Sequence, residues 1–107
     1  MNPADYEAAF KIISVAGNAK SLAMMAIREA REGNEDAARA HLTEADTYLH
    51  EAHGAQTKML TQEARGNAVP VNIILVHAQD HLTGAMLVRD LAEEFVEIHA
   101  RLTATHA

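Results

Sequence analysis

Two short breaks divide the chain into three long segments, and they constrain its fold more than any other feature. Gly33–Asn34 is typical of a helix end followed by a new N-cap, and Gly66–Asn67 with Pro70 marks the second break. Pro3 suits the first turn of a helix, with Asn2 as its N-cap. Each segment has roughly 30 residues, enough for about 45 Å of α-helix at about 1.5 Å per residue.

Apolar and small residues recur three or four positions apart in each segment, which is the spacing of one face of an α-helix. The first segment has Ile12, Ala16, Ala19, Ala23, Ala26 and Ala30. The second has Ala38, Leu42, Ala45, Leu49, Ala52, Gln56 and Met59. The third has His77, His81, Gly84, Val88, Leu91, Phe95, Ile98 and Leu102. Because short loops make consecutive long helices antiparallel neighbours, we expect an all-α fold, an up-down-up three-helix bundle with coiled-coil-like packing, forming one domain over residues 1–107.

Further apolar residues lie beside these stripes. They are Phe10, Ile13 and Leu22 in the first segment and Ile74, Leu75, Leu82, Met86 and Leu87 in the third. A broad core stripe would explain them, and so would contact between subunits. We favour subunit contact, because a chain of 107 residues that is rich in alanine buries little area in its own core. Gly17, in the middle of the first segment, indicates either a kink or a close helix contact.

Composition excludes several classes of function. The chain has no cysteine, which rules out disulfide and thiolate chemistry and fits a reducing compartment. Its net charge of −6 disfavours nucleic acid or an anionic membrane as the main partner. The first ten residues lack the basic start and apolar core of a signal peptide, and the uncharged stretch before Asp80 is too short to span a bilayer. We therefore expect a cytoplasmic protein that does not insert into the membrane.

Titratable residues interrupt the apolar pattern near the start of the third segment, in "ILVHAQDHLTGAML". On a helix His77 shares a face with Asp80 and His81, three and four positions further on, whereas Gln79 points elsewhere. Such a local break in a core pattern often marks function. The structural alternative is a pair of half-exposed histidines that bond to their neighbours.

Three chemistries are compatible with this cluster. His77, Asp80 and His81 form a two-histidine, one-carboxylate set that could bind a transition metal, although Ala78 stands where zincins have glutamate. Histidine also suits general acid–base catalysis, but no cleft-forming loops accompany it. The third chemistry is nucleophilic, in which a ring nitrogen of His77 takes a group covalently beside His81 and Gln79. The residues alone leave these three open, together with a purely structural interaction module.

Three stretches of the sequence match a known family. "ILVHAQDHLTGAMLVRDLAEEFVEIH" resembles the lactose/cellobiose-type enzyme IIA of the bacterial phosphoenolpyruvate-dependent sugar phosphotransferase system, and "VHAQDHL" matches its active-site signature. "GNAKSLAMMAIREAREG", from Gly17 to Gly33, and "EAHGAQTKM", from Glu51 to Met59, agree with the family in the same order. The resemblance covers roughly Phe10 to Leu102.

The resemblance implies a homotrimer of three-helix subunits that acts as a phosphotransferase component. His77 would accept a phosphoryl group on Nε2 from the phosphocarrier protein HPr and pass it to a cysteine of a cognate IIB, during uptake of a β-linked disaccharide through a membrane IIC. Asp80 would face the three-fold axis, where one carboxylate from each subunit holds a divalent cation, with Mg²⁺ the expected ion. The rival hypothesis remains a metal-binding bundle that uses His77, Asp80 and His81.

Other positions have roles that the resemblance leaves open. His81 would either bond the phosphoryl group or cap the site, and Gln79 would support it. Gln56 interrupts the apolar stripe of the second segment and would reach toward the site or a helix interface. Thr83 stands where the family usually has methionine, and Asn72 stands where it often has serine. We expect these two departures to alter contacts with partner proteins and not the phosphoryl transfer itself. The identity of the sugar does not follow from this chain.

Overall fold

Three long α-helices make up the structure, a computed structural model that describes residues 2–106 apart from the side chain of His106. Helix α1 spans Pro3–Arg31, α2 spans Glu35–Ala64 and α3 spans Ile73–His106. The described range holds no strand. The predicted all-α, up-down-up bundle is confirmed. Helix α1 lies between the other two, packing along both, whereas α2 and α3 contact each other much less.

The predicted breaks form the two turns. Gly33 and Gly66 have φ values of +86° and +89°, in the left-handed region that glycine adopts without a steric penalty at a helix C-terminus. The second connection is held by a hydrogen bond of 2.8 Å that the Val69 amide donates to the Glu63 carboxylate.

Polar caps fix where two of the helices begin. At the start of α1 the Asn2 side chain accepts a hydrogen bond from the Asp5 amide at 3.0 Å, and the Asp5 carboxylate accepts one from the Asn2 amide at 3.4 Å. At the start of α3 the Asn72 side chain accepts from the Leu75 amide at 3.0 Å. Serine and asparagine are both strong N-caps, so this bond gives a local reason why asparagine can replace serine at this position.

Small residues dominate the core. The predicted stripe of α1 is buried throughout, and that of α2 is buried except at Leu49 and Gln56, which are half-buried. The largest fully buried side chains are Ile12, Leu82 and Val96. Alanines line most of the remaining contacts, so the helices approach closely while each contact buries little area.

The stripe predicted for α3 is wrong as a description of the core. The face that packs inward consists of Leu75, Ala78, Leu82, Ala85, Ala92 and Val96. Five members of the predicted stripe are instead exposed: His77, Leu91, Phe95, Ile98 and Leu102. Both faces of α3 carry apolar residues at helical spacing, so periodicity alone could not tell which face packs against α1.

An exposed apolar band therefore runs along α3, and we call it the outer stripe. Its members are Ile73, Val76, Asp80, Gly84, Leu87, Leu91, Phe95, Ile98 and Leu102. They are spaced by 3, 4 and 4 residues in an 11-residue repeat, at about 3.67 residues per turn, so the stripe hardly drifts around the helix. Its large apolar members range from 41% exposed at Val76 to 79% at Ile73. A continuous apolar surface of this length is unusual on a monomer and agrees with the expectation of subunit contact.

Two further features bear on the sequence predictions. A Cβ atom on Gly17 would meet no other described atom within 4 Å, apart from its own helix backbone and chain neighbours, so contact with another helix of the same subunit does not explain this glycine.

Helix α1 is long and apolar enough to cross a membrane by length and composition alone. Core helices of soluble proteins pass the same test, and α1 packs against both other helices of the bundle.

Candidate functional site

The two histidines of α3 contact each other directly. His77 and His81 lie one turn apart, with their Nε2 atoms 3.1 Å from each other and their ring centroids 4.4 Å apart in an edge-on arrangement at 88°. A hydrogen bond between two imidazole nitrogens requires that one carries a hydrogen and the other a lone pair. His77 is exposed and His81 is half-buried. The pair therefore places an exposed imidazole, His77, in direct contact with a second imidazole.

His77 lines two separate concave surfaces. The first, which we call the apolar hollow, encloses about 300 Å³. It is lined by Phe10, Ile13, Ile73, Ile74, Val76, His77 and Asp80. The second, the polar hollow, encloses about 220 Å³ and is lined by Lys20, His77, Asp80, His81 and Gly84. Helices α1 and α3 run in the same direction, so α1 contributes its early residues to the apolar hollow and a later residue to the polar one.

Asp80 lies in the outer stripe, about 60° around α3 from His77 at about 100° per residue. Its carboxylate has no hydrogen bond or ion pair with any residue between 2 and 106. It is the single charged side chain within the apolar members of the outer stripe. A carboxylate in this position would be costly to bury against another subunit unless a cation or a hydrogen-bond donor accompanied it.

The described residues contain no group of three or more histidine, cysteine, aspartate or glutamate side chains placed to hold a metal ion. His77, Asp80 and His81 line the same hollow, but they do not form such a group. The hypothesis of a metal-binding bundle based on these three residues of one subunit therefore gains no support. A site made from several copies of Asp80 involves other subunits and is a separate question.

The two glutamines predicted to support the site bond to each other. The Gln56 side chain on α2 donates a hydrogen bond of 2.6 Å to the side-chain oxygen of Gln79 on α3. Both are half-buried, and in the described structure neither is hydrogen-bonded to His77. This bond joins α2 to α3 two residues away from His77, so it fixes the helix that carries the histidine. Gln56 therefore lies at the interface between α2 and α3, which is one of the two positions predicted for it from the sequence.

Sequence reasoning missed Lys20, which comes from α1 and lines the polar hollow. Its position inside the family-matched stretch from Gly17 to Gly33 was the signal that could have drawn attention to it. The periodicity of α1 gave no reason to place it near α3. Thr83, the other departure from the family pattern, is exposed on α3 beside the outer stripe.

Comparisons with known proteins match the whole bundle. The family model described as the lactose/cellobiose-specific IIA subunit of the phosphotransferase system matches residues 7–100. The chain is 40% identical over 103 residues to the lichenan-specific phosphotransferase enzyme IIA component of Bacillus subtilis strain 168, covering 96% of this chain and 94% of the relative.

Solved structures agree with the sequence comparison. The crystal structure of the cellobiose-specific enzyme IIA from Bacillus anthracis superposes with a TM-score of 0.92 at 38% identity, covering 97% of this chain and 94% of the other. The IIA chain in the solution structure of the Escherichia coli IIA(chitobiose)–HPr complex superposes with a TM-score of 0.81 at 36% identity, covering 96% and 99%. Fold and sequence therefore point to the same group of proteins.

Proposed function

Because the chain belongs to the family of lactose/cellobiose-specific IIA subunits of the phosphotransferase system, and is thus a phosphotransferase component, we propose that it carries its phosphoryl group on Nε2 of His77. The observation that supports this assignment is that His77 is exposed, lines both hollows and has its Nε2 3.1 Å from the Nε2 of His81. The phosphoryl donor is HPr, since a similar IIA from Escherichia coli forms a complex with HPr.

The transfer follows from the tautomers of the histidine pair. In the proposed arrangement the His81 Nε2–H donates to the His77 Nε2, so that His77 has its lone pair on Nε2 and its hydrogen on Nδ1. As phosphorus approaches, this hydrogen bond is released, the lone pair attacks phosphorus as the bond to the donor's ring nitrogen breaks, and the bonding electrons return to the donor ring. Each ring keeps the hydrogen on its other nitrogen, so no net proton transfer is needed. The His81 N–H is then free to bond a phosphoryl oxygen.

Positioning accounts for most of the catalysis in such a step. The phosphoryl group arrives already attached to a protein, so the site needs no nucleotide-binding loop and mainly has to align donor and acceptor. The α1 side of the apolar hollow, formed by Phe10 and Ile13, lies outside the outer stripe and supplies a docking surface next to His77, with Phe10 exposed. HPr and IIB meet this surface in turn, because both must reach the same nitrogen. IIB receives the phosphoryl group on a cysteine thiolate.

The outer stripe is the surface on which three subunits assemble as a homotrimer. Burial of its large apolar side chains favours association, while Asp80 opposes it because three carboxylates would meet near one axis. Asp80 from each subunit would hold a divalent cation, and Mg²⁺ suits a site of carboxylate oxygens and waters. The ion would offset most of the negative charge of the three carboxylates and take no part in the transfer. Its support is the unpaired charge of Asp80 in an otherwise apolar band.

The system served by this chain transports a sugar. The similar proteins are named for lichenan, cellobiose and chitobiose, which supports a β-linked disaccharide as the transported class. The chain itself would act in the cytoplasm, between HPr and the IIB that serves a membrane IIC. The sugar would bind IIC, so none of the hollows in this chain is assigned to it.

Intact-protein mass spectrometry after incubation with phosphoenolpyruvate, enzyme I and HPr tests the proposal. We expect a gain of one phosphoryl group that is lost in brief acid treatment, absent in His77→Ala and retained in His53→Ala, an exposed histidine on α2. No gain, with the same components proved active on another IIA, would overturn the proposal. A gain that survived His77→Ala would overturn the assignment to His77.

A further inference from the structure

Lys20 has no role in the function proposed above, yet it is the one lysine or arginine that lines the polar hollow. It reaches this hollow from α1, whereas the other four lining residues, His77, Asp80, His81 and Gly84, belong to α3. Its ammonium group makes no ion pair or hydrogen bond with the part of the chain that the structure describes. Lys11, on the same helix, is by contrast paired with Glu51 at 3.3 Å.

The charge of the hollow changes when His77 is phosphorylated. A phosphoryl group brings a charge of about −1.5 to −2 and three strong acceptor oxygens. Asp80 already places a carboxylate in the same hollow, and the neutral N–H of His81 supplies one hydrogen bond but no charge. The phosphorylated state therefore adds an anionic group beside the Asp80 carboxylate, whose charge the proposed ion shared by three subunits would only partly offset. Lys20 is the lysine in this lining that can supply a positive charge to the phosphoryl oxygens.

The hollow also has room for the group. Its volume of about 220 Å³ compares with about 30 Å³ for one water in the liquid, so a phosphoryl group and several waters fit. At Gly84 no other described part of the chain fills the hollow, since a Cβ atom there would meet nothing within 4 Å beyond its own helix backbone and chain neighbours. Lys20 is exposed, and its flexible stem lets the ammonium adjust to an incoming anion.

We propose that Lys20 is a phosphoryl-binding residue, whose ammonium donates hydrogen bonds to the phosphoryl oxygens on His77 during transfer and in the phosphorylated state. This inference rests on the proposed function. In the transfer, the new bond forms between phosphorus and the His77 Nε2 while the bond to the donor nitrogen breaks and its electron pair returns to the donor ring. Lys20 transfers no proton. A positive charge beside the equatorial oxygens lowers the barrier because those oxygens carry the negative charge of the transferred group.

Three variants separate this role from a general effect of charge. Lys20→Met removes the ammonium and keeps an unbranched stem, and Lys20→Arg keeps the positive charge. Lys58→Met makes the same change in net charge at an exposed site on α2 that lines neither hollow. Both positions are exposed, so we expect unchanged helical circular dichroism and unchanged sedimentation.

The rate of phosphoryl acceptance from phospho-HPr, measured by rapid quench at saturating donor, is the first readout. We expect Lys20→Met to be slower by about ten- to a hundredfold, the range of a hydrogen bond to a charged group. Lys20→Arg should recover most of the rate, and Lys58→Met should match the parent protein. The second readout is the ³¹P resonance of phospho-His77, which should shift in Lys20→Met and stay unchanged in Lys58→Met.

The outcomes also separate this inference from the proposed function. If the parent protein accepts no phosphoryl group on His77, the proposed function itself is wrong. If the parent is phosphorylated and Lys20→Met keeps the parent's rate and ³¹P resonance, only the role of Lys20 is overturned. An equal loss in Lys58→Met would replace it with long-range attraction of the partner. A change in sedimentation with an unchanged rate would make Lys20 a partner of Asp80 in the assembly instead.

Discussion

At the scale of single residues, the decisive feature is that His77 and His81 present the same kind of atom to each other. A contact between two Nε2 atoms at 3.1 Å fixes complementary tautomers, because one ring must donate and the other accept. The proposed chemistry requires the arrangement in which the His81 Nε2–H donates and the His77 Nε2 accepts. The contact gives His81 a role in preparing His77, and this role does not need His81 to be phosphorylated.

Replacement of His81 tests this preparation. We expect His81→Ala to be phosphorylated still, but about tenfold more slowly, because the hydrogen bond to His77 and then to the phosphoryl oxygen is lost. His81→Gln, which keeps an N–H donor, should recover part of the rate. Time courses of phosphoryl acceptance from phospho-HPr provide the measurement, with His53→Ala on α2 as the matched control. Equal rates for His81→Ala and the parent would assign His81 to packing alone.

The sequence alone predicted which residues of α3 lie together in the site, because their relative positions depend only on the geometry of one helix. Positions three and four apart share a face whatever the rest of the fold does, so His77, Asp80 and His81 could be grouped before the structure was known. Lys20 and the bond between Gln56 and Gln79 each depend on how two helices are placed against each other. Neither the register between α1 and α3 nor that between α2 and α3 can be read from the periodicity of a single segment.

At the scale of the elements, α3 differs from the other helices because it has two apolar faces of unlike composition. The inner face uses alanine at Ala78, Ala85 and Ala92, whereas the outer stripe uses larger residues such as Leu91 and Phe95. Periodicity favoured the face with the larger residues, which is the usual guide to a core. In this bundle it failed, because α1 presents a stripe rich in alanine and packs against the face of α3 that contains Ala78, Ala85 and Ala92 between its larger residues.

A substitution at Ala85 tests how closely α3 packs against the other two helices. It is fully buried in a cluster with Ala16, Ala19 and Ala45 from the other two helices. Ala85→Leu should lower the free energy of unfolding by about 1–3 kcal/mol, since the extra carbons force the helices apart. Urea denaturation at fixed protein concentration provides the measurement. Ala40→Leu, the same change at an exposed site on α2, is the control, and a loss as small as that control's would mean that the alanine core can accommodate the larger side chain.

At the scale of the whole molecule, the subunit is a rod of 58 × 19 × 18 Å with a radius of gyration of 16.7 Å. A compact domain of this length would have a radius of gyration of about 13 Å. Its accessible surface is 6656 Å², against about 5,800 Å² for a typical monomer of the same mass. The excess surface, with the outer stripe as its apolar part, is what a subunit of a larger assembly would be expected to expose.

The balance between this apolar surface and Asp80 gives the last prediction. We expect the parent protein to sediment as a trimer at micromolar concentration with Mg²⁺ present, and to dissociate partly when EDTA removes divalent cations, because three unneutralised carboxylates then repel one another. Asp80→Leu removes the repulsion and adds apolar area to the outer stripe, so this variant should remain trimeric with EDTA. Leu91→Asp, which adds a charge to the same stripe, should be monomeric even with Mg²⁺.

A parent protein that sediments as a monomer with Mg²⁺ present would refute the trimer. A trimer equally stable with and without EDTA would refute the cation at Asp80 and leave the apolar stripe as the sole source of association.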